Sequence, residues 1–307
     1  MRKKCLQMVQ ELARKDPRIF FLGSDLGYGT LKEFQEEMPE RFLVEGVSEA
    51  AVVGMAAGLA LEGKIPYINT IATFLTRRVL EQIAVDVCMH NVPVRLIGNG
   101  GGLVYAPLGS THLALEDISL MRALPNMTVV CPCDADEIGR LMPLTVDWRA
   151  PLYIRLAKGY DPIVSRQENG FEIGKGIHYA HGGDALLVTT GVTLQEAIGA
   201  AEILVQEGIK VGILHLHTVK PLDREQLLDL AADVKCIVAV EENTILGGLG
   251  SAVAEALAEA GFVGAKRFKR VGIPDVFPDL YGSQKEIMAK FGLSPEGLAA
   301  TVRELVA

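Results

Sequence analysis

The sequence predicts an α/β protein of two domains built on mainly parallel sheets. Three observations predict it. Short apolar runs of strand length alternate with segments of helical length almost throughout the chain, the pattern of βαβ units. The alternation loosens once, from Tyr160 to Gly183, around Pro162, the polar run Ser165–Asn169 and the Gly182-Gly183 pair, and then resumes. The chain has 307 residues, a length that suits two cores rather than one.

In chain order, MRKKCLQMVQELARKDPR reads as a polar helix, because no apolar segment follows the basic residues as a secretory leader requires. Arg18–Gly23 reads as a buried strand and Ser48–Leu61 as a helix rich in Gly and Ala. Pro66–Ile71 is a strand, Arg77–Met89 a helix and Val92–Gly98 a strand. Ile118–Ala123 is helical, Thr128–Cys131 a strand, Ala135–Val146 a helix and Pro151–Leu156 a strand. After the loose segment come strands at Ala185–Thr189, Lys210–His215, Cys236–Val240 and Arg267–Val271. Helices are expected at Thr193–Glu207, Asp223–Ala232 and Gly250–Ala260. The expected division is a first domain over 1–165, a linker or small hairpin over 166–183 and a second domain over 184–307.

Composition excludes several classes. The formal charge of -8 argues against a nucleic-acid binder and against a polybasic membrane anchor. No apolar stretch reaches the length of a membrane span. The five cysteines, Cys5, Cys88, Cys131, Cys133 and Cys236, are odd in number and irregular in spacing, which predicts reduced thiols in a cytoplasmic protein. Cys131-Pro-Cys133 lacks a second ligand cluster, and His178, His181, His215 and His217 lack convincing ligand spacing, so no metal site is expected.

Three segments carry chemistry. The first, EGVSEAAVVGMAAGLA from Glu45, places Ser48 at an N-cap position and Glu49 in the first helical turn, where a carboxylate suits the helix dipole. Gly54, Ala57 and Gly58 leave one face of that helix open to close approach. The second, PYINTIATFLTRRVLEQ from Pro66, brings Phe74 and Arg77 to the start of a helix, where the dipole disfavours an arginine unless it has other work. The third, GNGGGLVYAPLGSTHLALED from Gly98, is a glycine loop that ends at His112.

Together these segments resemble the transketolase family of thiamine-diphosphate enzymes, which includes deoxyxylulose-phosphate synthases and the beta subunits of 2-oxoacid dehydrogenases. The resemblance extends through TTGVT (Thr189), KPLD (Lys220) and VEEN…GGLGS (Val240 to Ser251) and so covers almost the whole chain. It implies a pyrimidine-binding domain followed by a transketolase C-terminal domain. It implies that Glu49 meets N1′ of the aminopyrimidine, that Phe74 stacks on that ring with Ile71 beside it, and that His112 stands by the reacting carbon. It implies that Arg77, His112 and Lys158 face the substrate, although Lys158 stands where the family has an arginine and lacks its two-pronged fork. Gly100 and Leu108 replace a histidine and an acid seen in many transketolases, which points to a modified or unphosphorylated sugar acceptor. Gly247–Gly250, ahead of a helix, reads as a close-packed turn at a subunit interface or as an anion site.

The family holds the coenzyme diphosphate with a G-D-G motif and a later Asn, and no G-D-G occurs in this sequence. The resemblance therefore implies a partner N-terminal subunit that carries G-D-G…N and holds Mg2+ or Ca2+, in an α2β2 heterotetramer. The expected activity is transfer of a two-carbon ketol unit from a ketose to an aldose, active only with that partner. The alternatives are another carboligase of the deoxyxylulose-phosphate-synthase kind, a 2-oxoacid dehydrogenase beta subunit, and a non-catalytic assembly subunit.

Overall fold

The computed structural model describes residues 1–23, 31–157, 161–262, 264 and 266–307. The first half contributes six strands: β1 (Ile19–Gly23), β2 (Phe42–Val44), β3 (Ile65–Ile71), β4 (Arg95–Asn99), β5 (Thr128–Val130) and β6 (Leu152–Leu156). The second half contributes β7 (Ile177–Ala180), β8 (Ala185–Thr189), β9 (Val211–His215), β10 (Thr218–Lys220), β11 (Cys236–Thr244) and β12 (Arg267–Ile273). They form a seven-stranded sheet in the order β10-β5-β6-β4-β3-β1-β2 and a five-stranded sheet in the order β12-β11-β8-β9-β7. All pairings are parallel except those of β10 with β5 and β7 with β9. Every residue of β3, β4, β6, β8 and β9 is buried, as expected of parallel strands covered by helices on both faces.

The apolar runs found these central strands because burial on both faces demands nearly continuous apolar sequence. Edge strands differ. β7, inside the expected linker, is mostly half-buried and pairs antiparallel with β9, so part of that segment belongs to the second sheet. β10 leaves the second half altogether and pairs with β5, Thr218 opposite Val130, so a strand after position 184 completes the first sheet.

The helix expected over Arg77–Met89 is broken. Helical turns span Ala72–Thr76 and Leu80–Gln82, and Ile83–Met89 is wound as a π-helix. Thr76 Oγ1 donates to the Ala72 carbonyl at 2.8 Å, a local bond that competes with continuation of the helix. β4 starts at Arg95, whose side chain is fully buried and donates to the carbonyls of Thr145 and Ala150 at 2.7 and 2.9 Å and to that of Trp148. Burial holds its pKa down to about 10, and the Thr145 carbonyl, at the C-cap of helix Ala135–Leu144, receives a donor it lacks within the helix.

Among the described residues no helix is long and apolar enough to cross a membrane. All five cysteines are buried and unpaired.

Candidate active site

β2, β3 and β4 deliver the three motif segments to the carboxyl edge of the first sheet, the edge at which open α/β sheets place their ligands. Glu49 opens the helix Glu49–Leu61 and is only 3% exposed. Ser48 holds the N-cap position, but its hydroxyl donates to the Glu45 carbonyl at 2.7 Å instead of capping the helix. Ile71 closes β3 and is buried. Phe74 follows half-buried in the short helix Ala72–Thr76.

The glycine loop brings His112 back to Phe74. Their rings meet edge to face, with centroids 5.3 Å apart, and Thr111 Oγ1 lies 2.9 Å from His112 Nδ1. Arg77 Nε forms an ion pair with Glu116 Oε1 at 2.9 Å, and a second Arg77 nitrogen donates to Thr73 Oγ1. Burial pushes the Glu116 carboxyl up, partly offset by Arg77. Thr73, Phe74, Arg77, Arg78, Ser110 and Phe277 line an open cavity of about 560 Å³. Glu49, Ile71, Phe74, Arg77 and His112 thus lie along one edge. Lys158 lies outside the described residues.

Arg78 carried no expectation from the sequence. Its Nη1 donates to Glu49 Oε2 at 2.9 Å, and its guanidinium carbon sits 4.1 Å from the Phe74 ring centroid. A flat cation with in-plane N–H groups is therefore accommodated between the phenyl face and the buried carboxylate. The same two surfaces suit an aminopyrimidine ring.

The glycines of the loop make room for the chain's own side chains. A Cβ at Gly98 would lie 2.5 Å from the Tyr153 hydroxyl, and one at Gly102 would lie 2.4 Å from the Glu242 carboxyl carbon. Glu242 accepts from the Leu103 backbone N–H and from Gln284 Nε2, both at 2.8 Å. Arg155 donates to the carbonyls of Ala114 and Glu242 at 3.1 and 2.7 Å. The loop that carries His112 is thereby tied to β11 of the second half. Burial raises the Glu242 carboxyl to about 7 against the lowering pull of Arg155.

At the other glycine motif, Glu241 accepts from the backbone N–H groups of Leu249 and Gly250 at 2.8 Å each. The start of helix Leu249–Glu259 thus already holds a carboxyl of the chain itself, which is the charge an anion site would supply. Burial raises that carboxyl to about 7, with the two N–H donors pulling the other way.

Among the described residues, Cys133, Glu137 and His215 bring ligand-type atoms within 4.8 Å of one another, a gathering across the two halves that the sequence did not disclose. Glu137 Oε2 accepts from the Cys133 backbone N–H at 2.7 Å and lies 3.4 Å from His215 Nε2. Burial opposes the charge of Glu137, yet His215 and these donors hold its pKa down to about 2. The cluster reads as a hydrogen-bonded carboxylate joining the two halves.

Comparison with known proteins identifies the family. The family model for the transketolase pyrimidine binding domain matches residues 1–160, and that for the transketolase C-terminal domain matches residues 174–298. The chain is 35% identical over 306 residues to the 6-deoxy-6-sulfo-D-fructose transketolase subunit SqwH of Clostridium sp. strain MSTE9, covering 99% of this chain and 94% of that protein. It is 35% identical over 307 residues to a subunit of the apulose-4-phosphate transketolase of Phocaeicola vulgatus, covering 99% and 97%. A solved structure described as a split gene transketolase, inactive beta4 tetramer, superposes with a TM-score of 0.90 at 34% identity, covering 99% of this chain and 97% of that one. The chain belongs to the transketolase family, of which it carries the pyrimidine-binding and C-terminal domains.

Proposed function

We propose that this chain is the C-terminal subunit of a split transketolase that moves a two-carbon ketol unit between sugars. The observation that carries the reading is that one N–H donor group, the Arg78 guanidinium, meets the buried Glu49 carboxylate and the Phe74 ring face at once, the two surfaces an aminopyrimidine needs. Thiamine diphosphate, when bound, supplies the electron sink for carbon–carbon cleavage. Glu49 holds the proton or N–H at the pyrimidine ring nitrogen. Phe74 and Ile71 fix the ring and keep water from it. His112, steadied by Thr111 and by its contact with Phe74, donates a hydrogen bond to, or moves a proton at, the sugar oxygen. Arg77 and Lys158 are the cations offered to the anionic or modified end of the sugar.

The full assignment includes a partner. The proposed partner is an N-terminal subunit that carries the G-D-G…N motif, binds the diphosphate and holds Mg2+ or Ca2+, in an α2β2 heterotetramer. Relatives named as transketolase subunits, of nearly this chain's length, support the existence of a partner subunit. Five unpaired thiols support a cytoplasmic setting. The division into 1–165, 166–183 and 184–307 is kept, with β10 as the strand that the second domain lends to the first sheet.

The test reconstitutes the chain with a G-D-G subunit encoded beside it and assays ketose donors against pyruvate. Ketol transfer that requires thiamine diphosphate is expected. Glu49→Gln is expected to lower turnover by about a hundredfold or more, with assembly intact. Turnover of pyruvate alone would move the chain to the synthase or dehydrogenase branch, and unchanged turnover in Glu49→Gln would sink the catalytic assignment.

A further inference from the structure

The Arg78 guanidinium is held by two contacts at once. Its guanidinium carbon lies over the Phe74 ring, 4.1 Å from the centroid, and Nη1 donates to Glu49 Oε2 at 2.9 Å. It covers the buried Glu49 carboxylate on the side of the open cavity. The Glu49 side chain is 4% exposed, whereas that of Arg78 is 45% exposed and stands at the water side. Arg78 sits between the helical turns Ala72–Thr76 and Leu80–Gln82, in the break where the expected continuous helix is interrupted.

A guanidinium is planar, carries its donors in the plane, and both stacks on aromatic rings and bonds carboxylates. An aminopyrimidine is also planar and offers ring and amino nitrogens along its edge. Phe74 presents one ring face here, and Arg78 covers it. Two flat groups cannot share one phenyl face and one carboxylate oxygen. Either Arg78 is seated or the pyrimidine is.

We infer that Arg78 is a displaceable plug. In the chain by itself its side chain fills the pyrimidine subsite at one wall of the open cavity it lines with Phe74, Arg77, Ser110 and Thr111, and coenzyme binding requires it to leave the Phe74 face. This inference rests on the assignment of Glu49 and Phe74 to the coenzyme, and goes beyond it by giving Arg78 a part in when the subsite opens. While seated, the plug keeps a buried carboxylate paired. The need to displace it lowers the apparent affinity for the pyrimidine in proportion to the fraction of chains in which the subsite is open.

The test uses the full-length chain and the fragment 4-amino-5-hydroxymethyl-2-methylpyrimidine, with binding read by ligand-observed NMR and folding checked by circular dichroism. Arg78→Ala is expected to bind the fragment about tenfold or more tightly than the parent, the scale of one cation–π contact plus one charge-assisted hydrogen bond. Millimolar methylguanidinium is expected to compete with the fragment in Arg78→Ala by refilling the vacated place. Equal or weaker binding by Arg78→Ala, including no detectable binding by either chain, overturns the plug. The assignment beneath it is read separately. If fragment binding survives unchanged in Phe74→Ala/Arg78→Ala and in Glu49→Gln/Arg78→Ala, the pyrimidine lies elsewhere. If binding to the parent depends on Glu49 and Phe74 but Arg78→Ala gains nothing, only the plug falls.

Discussion

Arg155 Nε stands 2.9 Å from Asp117 Oδ2, and both side chains are closed off from solvent. The same Asp117 oxygen accepts from the Tyr153 hydroxyl at 2.6 Å, and the other end of Arg155 reaches the carbonyls of Ala114 and Glu242. One ion pair thus joins the helix Asp117–Ala123, the strand β6, the loop that carries His112 and the strand β11 of the second half. Burial alone works against the Arg155 charge, and the Asp117 and Glu242 carboxylates facing it outweigh that loss and raise its pKa.

Removing one partner leaves the other charged, buried and unpaired, which is the costly case. Asp117→Ala is therefore expected to destabilise the chain by about 3–5 kcal/mol, measured by urea denaturation. A loss below about 1 kcal/mol would mean that the guanidinium finds other partners or water at little cost.

Glu242 gives the fold a pH dependence with a definite sign. Its carboxyl is raised to about 7 in the folded chain, above the ordinary 4.5. Between those values the folded chain holds a proton that the unfolded chain has released. Its contribution is therefore complete below about pH 4.5 and is lost as pH rises through 7. Glu242→Gln keeps the uncharged form at every pH. The stability of the parent relative to Glu242→Gln should fall by up to about 3 kcal/mol between pH 5 and pH 8. Parallel stability curves for the two chains would show that Glu242 titrates no differently when folded.

Much of this was legible in the sequence where burial is symmetrical. Strands β1, β3, β6 and β8 are mostly apolar, because helices cover both of their faces, and a run of apolar residues of that length then has one reading. Among the edge strands, β12 was legible at Arg267–Val271, but β7 and β10 were not. β7 is mostly half-buried, and β10 is three residues long, finding its partner in the other half of the chain. The end of β11 misled for a different reason. The expected strand ended at Val240, yet Glu241, Glu242 and Asn243 continue it and all three are buried. Gly250 supplies a donor to Glu241 from afar, and Leu103 and Gln284 do the same for Glu242. At the site, Glu49, Phe74 and His112 were found by resemblance to a family, with composition and spacing silent on their meeting. Arg78 had no such signal, since an arginine beside another arginine looks like a solvated face.

The glycines differ in what they permit, and substitution should separate them. Gly102 has φ +70°, and a Cβ there would lie 2.4 Å from the Glu242 carboxyl carbon. Gly102→Ala is expected to cost about 2–4 kcal/mol, from left-handed backbone strain plus displacement of a buried carboxyl. Gly54 lies inside the helix Glu49–Leu61 with nothing within 4 Å of an added Cβ. Gly54→Ala is expected to stabilise the isolated chain by about 0.5–1 kcal/mol through a lower entropy cost of helix formation. Thermal denaturation of the two variants checks both signs, and a destabilised Gly54→Ala would mean that the open face of that helix is covered in the isolated chain.

His112 separates a catalytic role from a structural one. It is half-buried, its Nδ1 faces the Thr111 hydroxyl at 2.9 Å, and its ring touches Phe74 only by an edge. Little of the fold depends on such a side chain, so His112→Ala should change unfolding stability by less than about 1 kcal/mol. The loop stays in place through other bonds, from Leu103 N–H to Glu242 and from the Ser110 hydroxyl to the Pro278 carbonyl. In the reconstituted complex the same variant should lose about a hundredfold to ten-thousandfold in kcat, the range ascribed to a positioned acid or base. Fragment binding at Glu49 and Phe74 should survive, because the ring face and the carboxylate that Arg78 touches both remain in His112→Ala. A loss confined to KM would make His112 a binding contact, and a loss of stability that matches the loss of turnover would make it part of the frame.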